Sequence, residues 1–214
     1  MKSDSSETRQ VLQQAIAGDS ERWNELLARH RERLRRMVAL RMDHRLQARI
    51  DASDVIQEAY LEAWTRLAEY LRAPTMPFFL WLRFLAGQRL LILHRKHLGV
   101  KMRDPAVEVS LHHGSWPEAS SAALAAQLLG HDTRPSEAAV RAEMKIHLQE
   151  ALNNMEPMDR EILALRHFEQ LSRSECAQVL GINEAAVSKR HLRASKRLKE
   201  ILTGFPGGAG EFWP

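Results

Sequence analysis

Six cations crowd one short stretch near the end of the chain: Lys189, Arg190, Arg193, Lys196, Arg197 and Lys199. Only Glu184 and Glu200 oppose them on the same predicted helix. Such a helix is suited to a polyanion. Its cations hold phosphate, and polar side chains at its N-terminal end reach base edges. A second constellation, Asp54, Gln57, Glu58 and Leu61, has the i, i+3, i+4, i+7 spacing of one helix face. A leucine ringed by polar groups there suits a partner helix rather than a reaction. The third is an aromatic-rich helix that ends in His94, Arg95, Lys96 and His97. Rings and cations beside a loop can stack exposed bases and hold a single-stranded backbone.

No catalytic set accompanies these groups. His94 and His97 share a face, and His112 and His113 are neighbours, but no third ligand stands at a fixed spacing from either pair. Cys176 is the one cysteine, so neither an internal disulfide nor a Cys-rich zinc site can form. No glycine-rich phosphate loop follows a strand. The expectation is no metal, no cofactor and no enzyme activity. The N-terminal MKSDSSETRQ lacks the apolar core of a signal peptide. The longest apolar run, 78–93, carries Arg83, Gln88 and Arg89, so it reads as a buried core helix rather than a membrane span. A cytoplasmic protein without membrane insertion is expected. Net charge is +4 with a pI near 9.5, an excess that matters because it is clustered.

The elements that must hold these residues are helical throughout. A short helix fits 7–17 after a disordered start at 1–6 and breaks at Gly18. Asp19 or Ser20 caps the next, whose stripe is Trp23, Leu26, Leu27, His30, Leu34, Met37 and Val38. Asp51, with Asp54 in the first turn, caps a helix that buries Ile56, Tyr60, Ala63, Trp64, Leu67 and Leu71. Residues 72–77 form a loop, and Pro77 suits the first turn of the helix that follows. Gly, Pro, Ser and His punctuate 98–135, with 123–129 alone looking helical. Ser136 caps a helix with stripe Val140, Met144, Leu148, Ala151, Leu152 and Met155, and Pro157 opens another through Phe168. The fold class is therefore all-α. Two small helical domains, 1–98 and 136–202, are joined by a flexible linker at 99–135, with a tail at 203–214.

The second domain contains a helix-turn-helix. Ser172 and Glu175 make a capping box, and Gly181 ends the first helix in a left-handed conformation. Ile182 plugs the turn and Asn183 caps the last helix. Ala177, Gly181 and Val187 give the close crossing, the turn and the return to the core. Glu184, Ala185, Ser188 and Lys189 are the candidate base readers. Arg193, Lys196 and Arg197 are the candidates for phosphate.

In this order the three constellations resemble the ECF (extracytoplasmic function) group of bacterial sigma factors, within the sigma-70-like family. Asp54, Gln57 and Glu58 are similar to the family's core-polymerase-binding D-x-x-Q-E. Trp81, Leu82 and Ala86, ending at Arg95 and Lys96, resemble its −10 segment. Glu175, Ala177, Leu180, Gly181, Val187 and Arg190 resemble its −35 helix-turn-helix. The resemblance covers about 8–98 and 136–202, with Gln88 standing where the family often has asparagine. It implies a transcription initiation factor that binds core RNA polymerase and directs it to promoters. Asp54, Gln57, Glu58 and Leu61 would meet the clamp helices of the largest subunit. The loop carrying Tyr70, Arg72, Thr75, Met76 and Phe78 would capture a flipped −10 base, with Arg95 and Lys96 on the phosphates. The last helix, Arg190 included, would read the −35 duplex.

Control could come from an anti-sigma protein, from packing of the two domains on each other, or from docking of tail residues Phe205, Phe212 and Trp213. The competing reading is a one-component regulator that binds DNA without polymerase. It requires a ligand pocket or dimer seam in the first domain, and the sequence displays neither.

Overall fold

The structure, a computed structural model, describes residues 2–98, 117–129 and 138–203. The Ser136 cap, His112, His113, the side chain of Val140, most of the expected linker and tail residues 204–214 lie outside the described residues. All regular structure among the described residues is helical. The chain divides into two compact units, Met1–Pro117 and Glu118–Pro214.

The first unit is built from α1 (Lys2–Ile16), α2 (Ser20–Arg41), the short α3 (His44–Gln47), α4 (Ala52–Arg72) and α5 (Phe78–Leu98). Helix α1 begins at Lys2, so the start expected to be disordered is helical. Its Leu12 and Ala15 are buried in the packing of α1 on α2 and α4. Asp19 caps α2 by accepting from the Arg22 amide at 3.1 Å. Asp51 and Asp54 close a reciprocal capping box at the start of α4. These caps satisfy amides that have no partner within the helix. Helices α2, α4 and α5 then pack together around Leu34, Met37, Val55, Ile56, Leu67, Leu82 and Leu85. Helix α5 is buried on nearly all sides, from Phe78 to His94, as its long apolar run requires.

The second unit holds α6 (Ser121–Leu129), α7 (Ala138–Asn153), α8 (Pro157–Leu163), a π-helical turn (Ala164–Phe168), α9 (Arg173–Leu180) and α10 (Glu184–Thr203). Helix α6 lies on α7 and buries Leu124, Ala125 and Leu129. Glu118 reaches Arg160 at 3.0 Å and the Ala119 amide donates to Glu161, which fixes the approach to α6. The helix-turn-helix forms as its caps demand. The Ser172 and Glu175 capping box is complete, and Gly181 is left-handed at φ 63°. The amides of Gly181 and Ile182 both return to the Ala177 carbonyl, closing the helix around a left-handed glycine. Asn183 accepts from the Ala186 amide at 2.7 Å, and Val187 is fully buried.

Between the π-helical turn and α9, the exposed Gln170 adopts φ 56°. A side chain with a Cβ is strained there and glycine is not. Gln170→Gly is expected to raise stability by up to about 1 kcal/mol, read as a shift of the denaturant midpoint at unchanged slope.

Candidate nucleic-acid and partner interfaces

Helix α10 presents two different cationic faces. Val187, Ala194, Leu198 and Leu202 point into the core. Ala185, Lys189, Leu192 and Lys196 lie on the opposite, solvent side, and Leu192 is 73% exposed. Glu184 is exposed, and the half-buried Ser188 donates its hydroxyl to the Glu184 carbonyl at 3.0 Å. The four candidate base readers thus stand together on the first turns of α10.

Arg190, Arg193 and Arg197 lie on a flank that turns toward the start of α8. Arg190 Nη1 donates to Glu156 Oε2 at 2.9 Å and to Asp159 Oδ1 at 3.1 Å. Arg193 places Nε on Asp159 Oδ2 at 2.8 Å, and Nη2 on Asp159 Oδ1 and Glu156 Oε2 at 2.9 Å each. Arg197 donates to the Asn154 carbonyl at 3.3 Å. Arg193 and Arg197 remain exposed but are turned toward the start of α8, while Lys196 lies on the solvent side with Glu200 at 4.0 Å. Burial would raise the Asp159 carboxyl, but hydrogen bonds from Arg193 and Arg190 outweigh it and hold it below the usual range. No sequence signal marked Glu156 and Asp159, since pairs 31 to 37 residues apart leave no periodicity.

On the other flank, His191 meets His167 of the π-helical turn with Nε2 atoms 2.9 Å apart. Ring centroids lie 5.0 Å apart, little less than the N···N distance plus two ring radii. The nitrogens therefore face each other nearly head-on, as an N–H···N hydrogen bond between neutral rings requires. Burial, the facing His191 and nearby Arg166 push His167 down to about 4, and burial with Arg166 lowers His191.

In the first unit, Asp54, Gln57, Glu58 and Leu61 all lie on the exposed side of α4, and Leu61 is 70% exposed. Asp54 has a second task, because its Oδ2 accepts from the Asp51 amide at 3.2 Å. Trp64 departs from the expected buried stripe. Its ring rests on Trp23 at 5.4 Å but remains 46% exposed, which extends the α4 face by one aromatic. Tyr60, one turn earlier on the expected stripe, is half-buried and donates its hydroxyl to the Leu27 carbonyl at 2.9 Å.

The loop after α4 is braced by Tyr70. Its hydroxyl donates to the Met76 carbonyl at 2.9 Å, and its ring stacks on Trp81 at 4.4 Å. Burial pushes that hydroxyl up to about 12, so it stays a donor at neutral pH. Phe78 is buried among Trp23, Tyr70 and Trp81, so its ring shapes the loop from beneath rather than facing solvent. Arg72 and Thr75 are exposed on the loop, and Met76 is half-buried. Lys96 is exposed at the end of α5, and Arg95 is half-buried. One turn earlier His94 is buried and accepts from the Asp43 amide at 3.3 Å, which ties α3 to α5. Burial holds His94 below its ordinary value, in the neutral form that can accept. The described residues contain no group of three or more side chains arranged to hold a metal ion, and no helix long and apolar enough to cross a membrane.

Residues 146–198 match the family described as "Sigma-70, region 4". The second unit thus contains a sigma-70-type DNA-binding region. The chain is 30% identical over 192 residues to the ECF RNA polymerase sigma factor SigD of Mycobacterium tuberculosis (strain H37Rv), covering 90% of this chain and 82% of that one. It is 23% identical over 200 residues to the ECF sigma factor BldN of Streptomyces coelicolor, covering 94% and 67%. Among solved structures, CnrH in complex with the cytosolic domain of CnrY shares the fold, with a TM-score of 0.52 at 22% identity over 92% of this chain and 97% of that one. The chain belongs to the ECF sigma factors. It is a promoter-specificity factor for RNA polymerase and not an enzyme.

The buried His94 and the half-buried His167 and His191 make stability depend on pH. Each has a folded pKa below its ordinary 6.5, so the unfolded chain takes up protons first. Their contribution is complete above about 6.5 and is lost as pH falls, with His167 titrating down to about 4. Denaturation at stepped pH is expected to show stability falling between those values, and His167→Gln should flatten part of that fall.

Proposed function

We propose that the α4 face binds core RNA polymerase, that the loop between α4 and α5 engages the −10 element during melting, and that α10 reads the −35 duplex. The observation that carries the first assignment is Leu61, a large apolar side chain 70% exposed among Asp54, Gln57 and Glu58. A leucine anchor with a polar rim is what a helix-to-helix interface needs, and the charges orient the encounter more than they hold it. Trp64 widens the same face. The clamp helices of the polymerase's largest subunit are the assigned partner.

For the −10 element, the support is an exposed loop braced from beneath by Tyr70 and Phe78, with Arg72, Thr75 and Met76 on it. A rigid rim can receive an unstacked base, and unstacking costs a few kcal/mol, least at weakly stacked steps. Lys96 and Arg95 would hold backbone beside it. For the −35 element, Glu184, Ala185, Ser188 and Lys189 form the base-reading group, with Lys196 on phosphate. A helix presented by a single helix-turn-helix reads an asymmetric site. A protein of the anti-sigma kind would act by covering the α4 face or α10. The similar CnrH structure is a complex with a second protein, the cytosolic domain of CnrY.

The test is assembly with bacterial core polymerase followed by run-off transcription. Because Asp54 also caps α4, the informative variant is Gln57→Ala with Leu61→Asp. Helical content should be unchanged, holoenzyme formation about tenfold weaker or worse, and promoter-dependent transcript lost in proportion. Wild-type protein that ignores core polymerase yet binds a duplex alone would return the chain to the one-component regulator.

A further inference from the structure

Two of the six cations that first marked α10 share one pair of carboxylates within the domain. Five charge-assisted hydrogen bonds of 2.8–3.1 Å join Arg190 and Arg193 to Glu156 and Asp159. We propose that Glu156 and Asp159 form a carboxylate clamp that withholds Arg190 and Arg193 from DNA phosphates, lowering nonspecific affinity and so sharpening promoter discrimination by α10. This rests on the assignment of α10 to duplex DNA.

The two carboxylates have different parts. The Asp159 side chain is 7% exposed and takes a bidentate bond from Arg193, so it anchors the flank of α10. The Glu156 side chain is 62% exposed, yet one of its oxygens accepts from both guanidinium groups. That oxygen takes guanidinium donors that a phosphate oxygen could otherwise accept from. Nonspecific affinity grows with the number of phosphates neutralised, at about 0.9 units of salt slope for each. Sequence information comes from base edges instead. Holding two arginines on internal carboxylates therefore removes affinity that every sequence shares, and leaves Glu184, Ala185, Ser188 and Lys189 a larger share of what remains. Glu156 and Asp159 are positioning residues, because they act through the arginines.

The alternative is that the four charges only orient α10. Glu156→Gln separates the two, since it keeps the shape of the side chain and the Asp159 anchor. The full chain would be assembled with core polymerase. Binding would be measured across a salt series on a promoter duplex selected by run-off transcription and on its scrambled counterpart. With a clamp, Glu156→Gln binds the scrambled duplex several-fold more tightly, steepens the salt slope by about one unit for each arginine released, and lowers the promoter-to-scrambled ratio. Adding Arg190→Gln should remove part of the extra slope. If Glu156→Gln leaves slope and scrambled affinity unchanged or lowers them, the clamp is refuted while the DNA reading stands. If wild-type holoenzyme does not favour the promoter duplex, the reading of α10 itself falls.

Discussion

Asp159 is the point on which the second unit turns. A carboxylate that is nearly buried needs a cation beside it, because an ionised group without a partner is expensive in a protein interior. Two arginines from α10 meet that need from successive turns of one helix. The constraint works in both directions. Asp159 is held ionised by the guanidinium groups, and its bonds tie that flank of α10 to α8 while Val187, Ala194, Leu198 and Leu202 seat the helix in the core. With Arg190 and Arg193 fixed on that side and His191 fixed against His167 on the other, the remaining arc of the helix is determined. Ala185, Lys189, Leu192 and Lys196 can face only outward.

The first unit reaches the same end by apolar means. Helix α5 is buried almost completely, so α2 and α4 must each give it one face and can give no other. Aromatic rings fill the end of that contact, where Trp23, Tyr70, Phe78 and Trp81 touch in a chain of centroid distances from 4.4 to 6.1 Å. The outer side of α4 is what remains, and there Leu61 and Trp64 stay exposed beside carboxylates. The loop at 73–77 is stiffened by the same cluster, because the ring that packs on Trp81 also holds the Met76 carbonyl.

Local chemistry was legible in the sequence and distant pairing was not. The caps at Asp19, Asp51, Ser172 and Asn183 and the left-handed Gly181 were all readable, since each depends on residues within a few positions. The exposed face of α4 followed from helical spacing alone. Trp64 departs from the stripe because spacing puts it at the stripe's edge, where hydrophobicity alone argues for burial. Arg193 and Phe78 are read by type, as a phosphate donor and as a ring for a base, and Arg190 by its place in the −35 helix. Their neighbours come from other helices, and no periodicity in one helix reports what lies across from it. The helical start at 2–6 carries no apolar signal of its own, because its residues are polar and it continues a helix whose buried residues, Leu12 and Ala15, lie further on.

A chain with 31 Lys and Arg against 27 Asp and Glu must still bury polar groups without repelling its own surface. Its carboxylates go where they do local work. Asp19, Asp43, Asp51 and Glu175 accept from amides at helix starts, and Glu25, Glu32, Glu62 and Glu156 lie on arginines. In three interior or part-buried positions the polar group is histidine: His94, His167 and His191. A neutral imidazole accepts or donates a hydrogen bond without adding to an already positive field, and burial together with nearby arginines keeps it neutral. At Asp159 the internal charge is balanced by Arg190 and Arg193. The uncompensated positive charge is displaced to exposed lysines such as Lys96, Lys189 and Lys199, on the surfaces assigned to nucleic acid.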